Sequence, residues 1–171
     1  YEIKLAASAN NIKEMANTYN LKLAFVNKKS GSLVYVDYSK IGTFIYEYID
    51  TLEVNHPDIS PDGRHVAFCT GLEGVSGPSQ VYVRDLNPTG SNLVRLDVDN
   101  AAIPRFRVLP SGDTVIVYVS DAGNNKEESE WKQKSTWQVS FKNGKFGTPE
   151  KLFDGSYHGG FSEDGSLVVT G

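Results

Sequence analysis

A chain of 171 residues, 39% hydrophobic and 22% charged, is long enough for one domain with a substantial core, and its composition is that of a globular protein. The net charge of −4 argues against a nucleic-acid binder, which needs a basic face. No run approaches the ~20 apolar residues of a membrane-spanning helix. Nineteen aromatics (9 Tyr, 8 Phe, 2 Trp) favour strands. Cys69 is the single cysteine and follows Val66-Ala67-Phe68. It cannot form an intrachain disulfide and reads as a buried thiol, compatible with cytoplasm and periplasm alike. The chain opens on Tyr1 rather than methionine, which leads us to expect a processed or excised chain from which any targeting signal has been removed.

In chain order, Asn11–Ala16 is the only stretch that fits a helical turn, and it fits an innermost strand equally well. Leu23-Ala24-Phe25, Val34-Tyr35-Val36-Asp37 and Phe44-Ile45-Tyr46 are then three short apolar runs. The same series returns as Val66-Ala67-Phe68, Val81-Tyr82-Val83-Arg84-Asp85 and Leu93–Leu96, this time preceded by Ser60-Pro61-Asp62-Gly63. Leu109-Pro110-Ser111-Gly112 opens a third series, with Val115-Ile116-Val117, Thr136–Val139 and Lys151-Leu152-Phe153. Ser162-Glu163-Asp164-Gly165 and Leu167-Val168-Val169 begin a fourth.

The turn glycines Gly63, Gly112 and Gly165 stand 49 and 53 residues apart. Each motif is a hairpin signal: the short polar residue caps the turn through its side chain, and glycine accepts the left-handed backbone that reverses the chain. Asn20 stands where the first unit would carry that glycine. The units run near 12–49, 56–98 and 103–154, with a partial one at 157–171. Four short strands per unit at a period of roughly 40–50 residues predict an all-β fold, a β-propeller of about three and a half four-stranded blades in one domain. An immunoglobulin-like sandwich would lack the self-similarity. Three closures remain open: a longer propeller, association of two copies as a homo-oligomer, or a four-bladed ring in which Tyr1–Ala6 supplies an outer strand.

"SPDG" before an aliphatic-aromatic strand, followed by "VYVRDL", resembles the WD40-like repeats of TolB-type propellers over about residues 12–171. "HPDISPDG", "STWQV", "GKFGTP" and "LFDGSYHGG" further resemble a paralogous group of large bacterial lipoproteins that carry such propellers. The resemblance implies residence in the bacterial envelope, periplasmic or outer-membrane-associated. It also implies recognition of a partner's extended segment at the channel.

Counting seven residues back from each turn glycine reaches His56, Arg105 and His158. The count places three basic side chains at one position of successive innermost strands, either receiving an acidic partner segment or capping strands. Aligning Pro57 with Pro104 instead shifts the third unit by two. Asp58 and Arg107 are expected to pair across a blade interface. The polar stretch 121–132 is a solvated loop or a partner-contact loop anchored by Trp131. Its Asp121, Asn125 and Glu127 make a poor calcium loop, with Gly123 at the third position and Lys126 where a glycine belongs. Trp137 reads as core. Gly71–Gly77 lacks the lysine of a phosphate loop.

There is no Gly-x-Ser-x-Gly elbow, no zinc spacing and no cofactor motif. The expectation is therefore a non-catalytic module that binds a protein or peptide through His56, Asp58, Arg105, Arg107, His158 and Trp131, without cofactor or metal. The alternatives are the propeller of a larger prolyl-oligopeptidase-like hydrolase and a carbohydrate-binding surface.

Overall fold

The computed structural model describes residues 11, 14, 17, 20–39, 44–48, 52–71, 79–98, 100–120 and 134–171. Trp131, the stretch 121–132 and Tyr1–Ala6 lie outside the described residues. The described fold is all-β and antiparallel. Among the described residues, helical backbone is confined to Asn11 and Glu14; the rest of Asn11–Ala16 lies outside the described residues.

The first sheet is β1 (Lys22–Val26), β2 (Leu33–Asp37) and β3 (Phe44–Tyr48), side by side. The second is β4 (Asn55–Ile59), β5 (His65–Cys69), β6 (Val81–Asp85) and β7 (Val94–Arg95), again in chain order. The third holds β8 (Ala101–Val108), β9 (Thr114–Ser120) and β10 (Ser135–Lys142), with both β11 (Lys145–Phe146) and β12 (Glu150–Asp154) paired to β10. The extra hairpin reverses at Asn143 and Gly144, whose φ angles of 52° and 73° are what a two-residue hairpin turn requires. The fourth sheet is β13 (His158–Phe161) and β14 (Val168–Thr170).

The turn chemistry explains the recurring motif. The Ser60 hydroxyl donates to Asp62 Oδ1 (2.6 Å) and accepts from the His65 N–H (2.9 Å), while the Arg64 N–H donates to Asp62 Oδ1 (3.0 Å). Ser162, Asp164, Ser166 and Leu167 repeat these bonds at 2.6, 2.9 and 3.0 Å. Burial alone would raise the Asp62 carboxyl, but the Ser60 hydroxyl, the Arg64 N–H and the nearby His65 and Arg64 hold it below the usual range. The Ser162 hydroxyl and the Ser166 donors bring Asp164 down to about 2. The third turn has Leu109 in place of the serine and closes one residue sooner, with the Leu109 N–H donating to the Asp113 carbonyl (2.8 Å).

Strand register corrects the counting from glycine. In β4, Asp58 faces Ala67 and Asn55 faces Cys69, with a bulge between them at His56, φ 51°. In β8, Arg105 faces Val117 and Ala102 faces Val119, with the bulge at Ile103, also φ 51°. His56-Pro57 therefore corresponds to Ile103-Pro104, and Arg105 to Asp58. The third hairpin is two residues longer in each arm. An even extension leaves every side chain on its proper face, so the core pattern does not reveal it.

Two apolar clusters join the sheets. Leu33, Tyr35 and Tyr48 of the first sheet meet Val66, Phe68 and Leu86 of the second. Ala67, Cys69, Val81 and Val83, on the opposite face of the second sheet, meet Ile116, Tyr118 and Val139 of the third. Cys69 is fully buried, as expected. Apolar side chains are exposed at both ends of this succession: Leu23 and Ile45 on the first sheet, Leu167 and Val169 on the fourth.

Candidate functional site

Four of the six expected site residues have described contacts that stitch neighbouring sheets together. The Asp58 carboxylate accepts the Phe106 N–H of β8 at 2.7 Å. Arg105 Nη1 lies 3.9 Å from the same carboxylate. Burial raises the Asp58 carboxyl, and the Phe106 N–H and Arg105 only partly offset it. His158 Nε2 lies 2.8 Å from the Ile103 carbonyl. Burial, helped by Arg105, holds its ring below the usual histidine range against the pull of that carbonyl. The expected pairing of Asp58 with Arg107 is not what forms. Arg107 sits two residues along β8, on the fourth-sheet side, and donates from Nε (2.9 Å) and Nη2 (2.6 Å) to the Gly165 carbonyl. His56 occupies the bulge, and Trp131 lies outside the described residues. Trp137 is only partly buried, packed against the core cluster.

A concavity lies elsewhere, at the turn ends of the second and third sheets. It is a cleft of about 540 Å³. The Ser60–Asp62 turn, Arg64 and His65 form one side; Gly112, Asp113 and the Lys142–Gly144 hairpin form the other, with Phe106 and Phe141 between them. His65 Nε2 is 3.4 Å from Asp85 Oδ1, and its ring stands edge-on to Phe141, centroids 5.5 Å apart. Lys142 Nζ binds Asp113 Oδ1 at 2.7 Å and holds that carboxyl below its usual range. Arg64 is exposed on the rim.

Sequence reasoning singled out none of these residues as a site. The available signal was Asn143-Gly144 between Phe141 and Phe146, a hairpin signature that projects a turn beside Gly112. The chemistry on offer is recognition: paired charges, backbone groups and two aromatic rings. Among the described residues no group of His, Cys, Asp and Glu is placed to hold a metal ion. No described helix is long and apolar enough to cross a membrane.

No protein-family model matches the chain, and no curated protein matches it. Among solved structures it is similar to TolB from Acinetobacter baumannii, at 19% identity and a TM-score of 0.47 over 88% of this chain. The chain spans 37% of the length of that structure.

Proposed function

We propose that the chain is a non-catalytic, TolB-like propeller module that binds an extended protein or peptide segment in the bacterial envelope. The observation that carries the binding reading is the cleft between the second and third sheets, walled by turns and floored by Phe106 and Phe141. Turn-borne polar groups over an aromatic floor suit a peptide: the rings take side-chain stems and the backbone groups take main-chain or charged partners. The propeller and envelope readings rest on the recurring turn motif and on the resemblance of Ser60–Gly63 and Val81–Leu86 to TolB-type repeats.

The test is selection of binders from a library of unstructured peptides, followed by amide shift mapping on the labelled protein. Binding that perturbs Arg64, His65 and Gly112–Thr114 supports the reading. Absence of any binder at millimolar peptide, or perturbation confined to the outer strands β7 and β12, refutes it.

A further inference from the structure

Two of the three sheet-to-sheet junctions are closed at their turn ends by one device. Lys22 Nζ of the first sheet donates to the carbonyl of Gly63, the turn glycine of the second sheet, at 2.7 Å. Arg107 of the third sheet donates to the carbonyl of Gly165, the turn glycine of the fourth. The two cations occupy matching levels. Lys22 lies two residues before Ala24, on the face that packs on the second sheet. Arg107 stands on the adjoining inner strand, opposite Val115, which takes the register position of Lys22 in the third sheet, and it reaches the fourth sheet through Gly165.

Among the described residues, the middle junction lacks the device. By register the residue that matches Lys22 is His65: Lys22 faces Asp37, His65 faces Asp85, and Ala24 corresponds to Ala67. The imidazole is shorter than a lysine side chain and is engaged with Asp85. Gly112, the turn glycine that would be met, lines the cleft. Its carbonyl receives no hydrogen bond from any described residue. A Cβ placed on Gly112 would touch nothing within 4 Å, whereas one on Gly165 would lie 1.6 Å from the Val108 carbonyl oxygen.

We propose that this cleft accepts a lysine or arginine side chain from the bound segment, which donates to the Gly112 carbonyl in the place that Lys22 and Arg107 fill at the other junctions. The proposal rests on the peptide-binding reading above and names its anchor. The surroundings suit a cation. Phe106 and Phe141 offer rings to an alkyl stem and its charged head. Asp62 and Asp113 stand on opposite walls, Asp113 already paired with Lys142 and Asp62 without a cation at hydrogen-bond distance among the described residues. Arg64 and Lys142 are wall groups that would favour an acidic segment instead, so a glutamate probe is part of the test.

The experiment titrates the labelled protein with Ac-Ala-Ala-Lys-Ala-Ala-NH2 and with its arginine, norleucine and glutamate counterparts, following the amides of Gly112, Asp113 and Thr114. The lysine and arginine peptides are expected to bind at least tenfold more tightly than the other two. His65→Lys supplies the missing cation from within the chain. It is expected to weaken the lysine peptide at least tenfold and to raise the melting temperature. His65→Ala leaves the cleft open and is expected to keep the preference for lysine. Equal binding of the norleucine peptide, or tighter binding of the glutamate peptide, overturns the cationic anchor while leaving the cleft a peptide site. Failure of all four peptides to shift these amides, with library binders also absent, overturns both readings.

Discussion

The close approach of Gly165 to the third sheet gives a sharp prediction, because Gly112 provides a control at the equivalent turn position. Both have left-handed backbone, φ 68° and 86°, so alanine at either site costs about 1–2 kcal/mol in backbone strain. At Gly112 the cost ends there, since the new methyl group meets open space. At Gly165 the methyl would lie 1.6 Å from the Val108 carbonyl oxygen, and backbone has to move. The movement separates the Gly165 carbonyl from Arg107, whose two charge-assisted bonds to one oxygen contribute about 2–3 kcal/mol. The expected totals are about 1–2 kcal/mol for Gly112→Ala and about 3–5 kcal/mol for Gly165→Ala. A two-stranded sheet is marginal by itself, so the second loss opens β13–β14 without unfolding the rest. The assay is therefore native-state hydrogen exchange of the His158–Phe161 and Val168–Thr170 amides, with β4–β5 amides as the internal reference. Arg107→Ala alone should cost about 2 kcal/mol there, and nothing further in the Gly165→Ala background. Equal protection in the two glycine variants, within about 0.5 kcal/mol, would refute the argument that a cation latch closes this junction.

Three further outcomes follow from the stitched inner strands and turns. Asp58→Asn keeps an acceptor for the Phe106 N–H and removes a carboxylate whose ionisation burial opposes; thermal melts at pH 7 should show unchanged or higher stability. Asp58→Ala strands that N–H and should cost about 1–3 kcal/mol. His158 has a folded pKa depressed chiefly by burial, so its contribution is complete above about 6.5 and is lost as pH falls below that value; exchange of β13 amides should accelerate between pH 7 and pH 5, and His158→Gln should flatten the response. Asp164 works in the same direction at lower pH: with its carboxyl brought down to about 2, the fourth turn keeps its network at pH 4 and loses it as pH falls through about 2, a transition that Asp164→Asn should abolish in one-dimensional spectra of the Leu167 amide.

The hairpins were legible because their chemistry is local. Glycine, a short polar residue and a following apolar run sit within a few positions, and each bond they make spans at most five residues. The third hairpin shows where local reading stops. Its arms are longer by two residues each, and since strand faces alternate with period two, the extension keeps the buried pattern intact. Only the paired bulges at His56 and Ile103 mark the true correspondence, and the sequence carries them as His56-Pro57 and Ile103-Pro104. The candidate site was less legible for the same reason. Arg107 looked like a partner for Asp58 because both lie five residues before a glycine. In the fold Asp58 instead meets a backbone N–H of the neighbouring sheet, and Arg107 meets a carbonyl 58 residues away. A carbonyl partner has no residue type to betray it.

Among the described residues, the junction that lacks a latch also holds the larger of the two apolar clusters, and the two facts belong together. Behind the cleft, Ala67, Cys69, Val81, Val83, Ile116, Tyr118 and Val139 interlock with little or no exposure. Both junctions carry polar contacts: Asp58 with the Phe106 N–H at the unlatched one, and at the latched one the Tyr48 hydroxyl, which donates to the Asn87 carbonyl at 2.5 Å, with the Arg84 guanidinium 4.7 Å from the Tyr48 ring. Burial contributes in proportion to the apolar area removed from water, so a junction already closed by packing can leave its turn end open at small cost. An opening backed by a dense floor does not collapse when empty. A ligand entering it has little protein to order, and that absence of an ordering cost is what allows a single well-placed side chain to carry appreciable affinity. Loosening the floor should therefore weaken binding without touching the walls. Val83→Ala removes two methyl groups from the cluster that backs Phe106 and Phe141 and should lower stability by about 1–3 kcal/mol; peptide affinity should fall in the same variant, measured well below its melting temperature. Unchanged affinity there would separate the cleft from the packing beneath it.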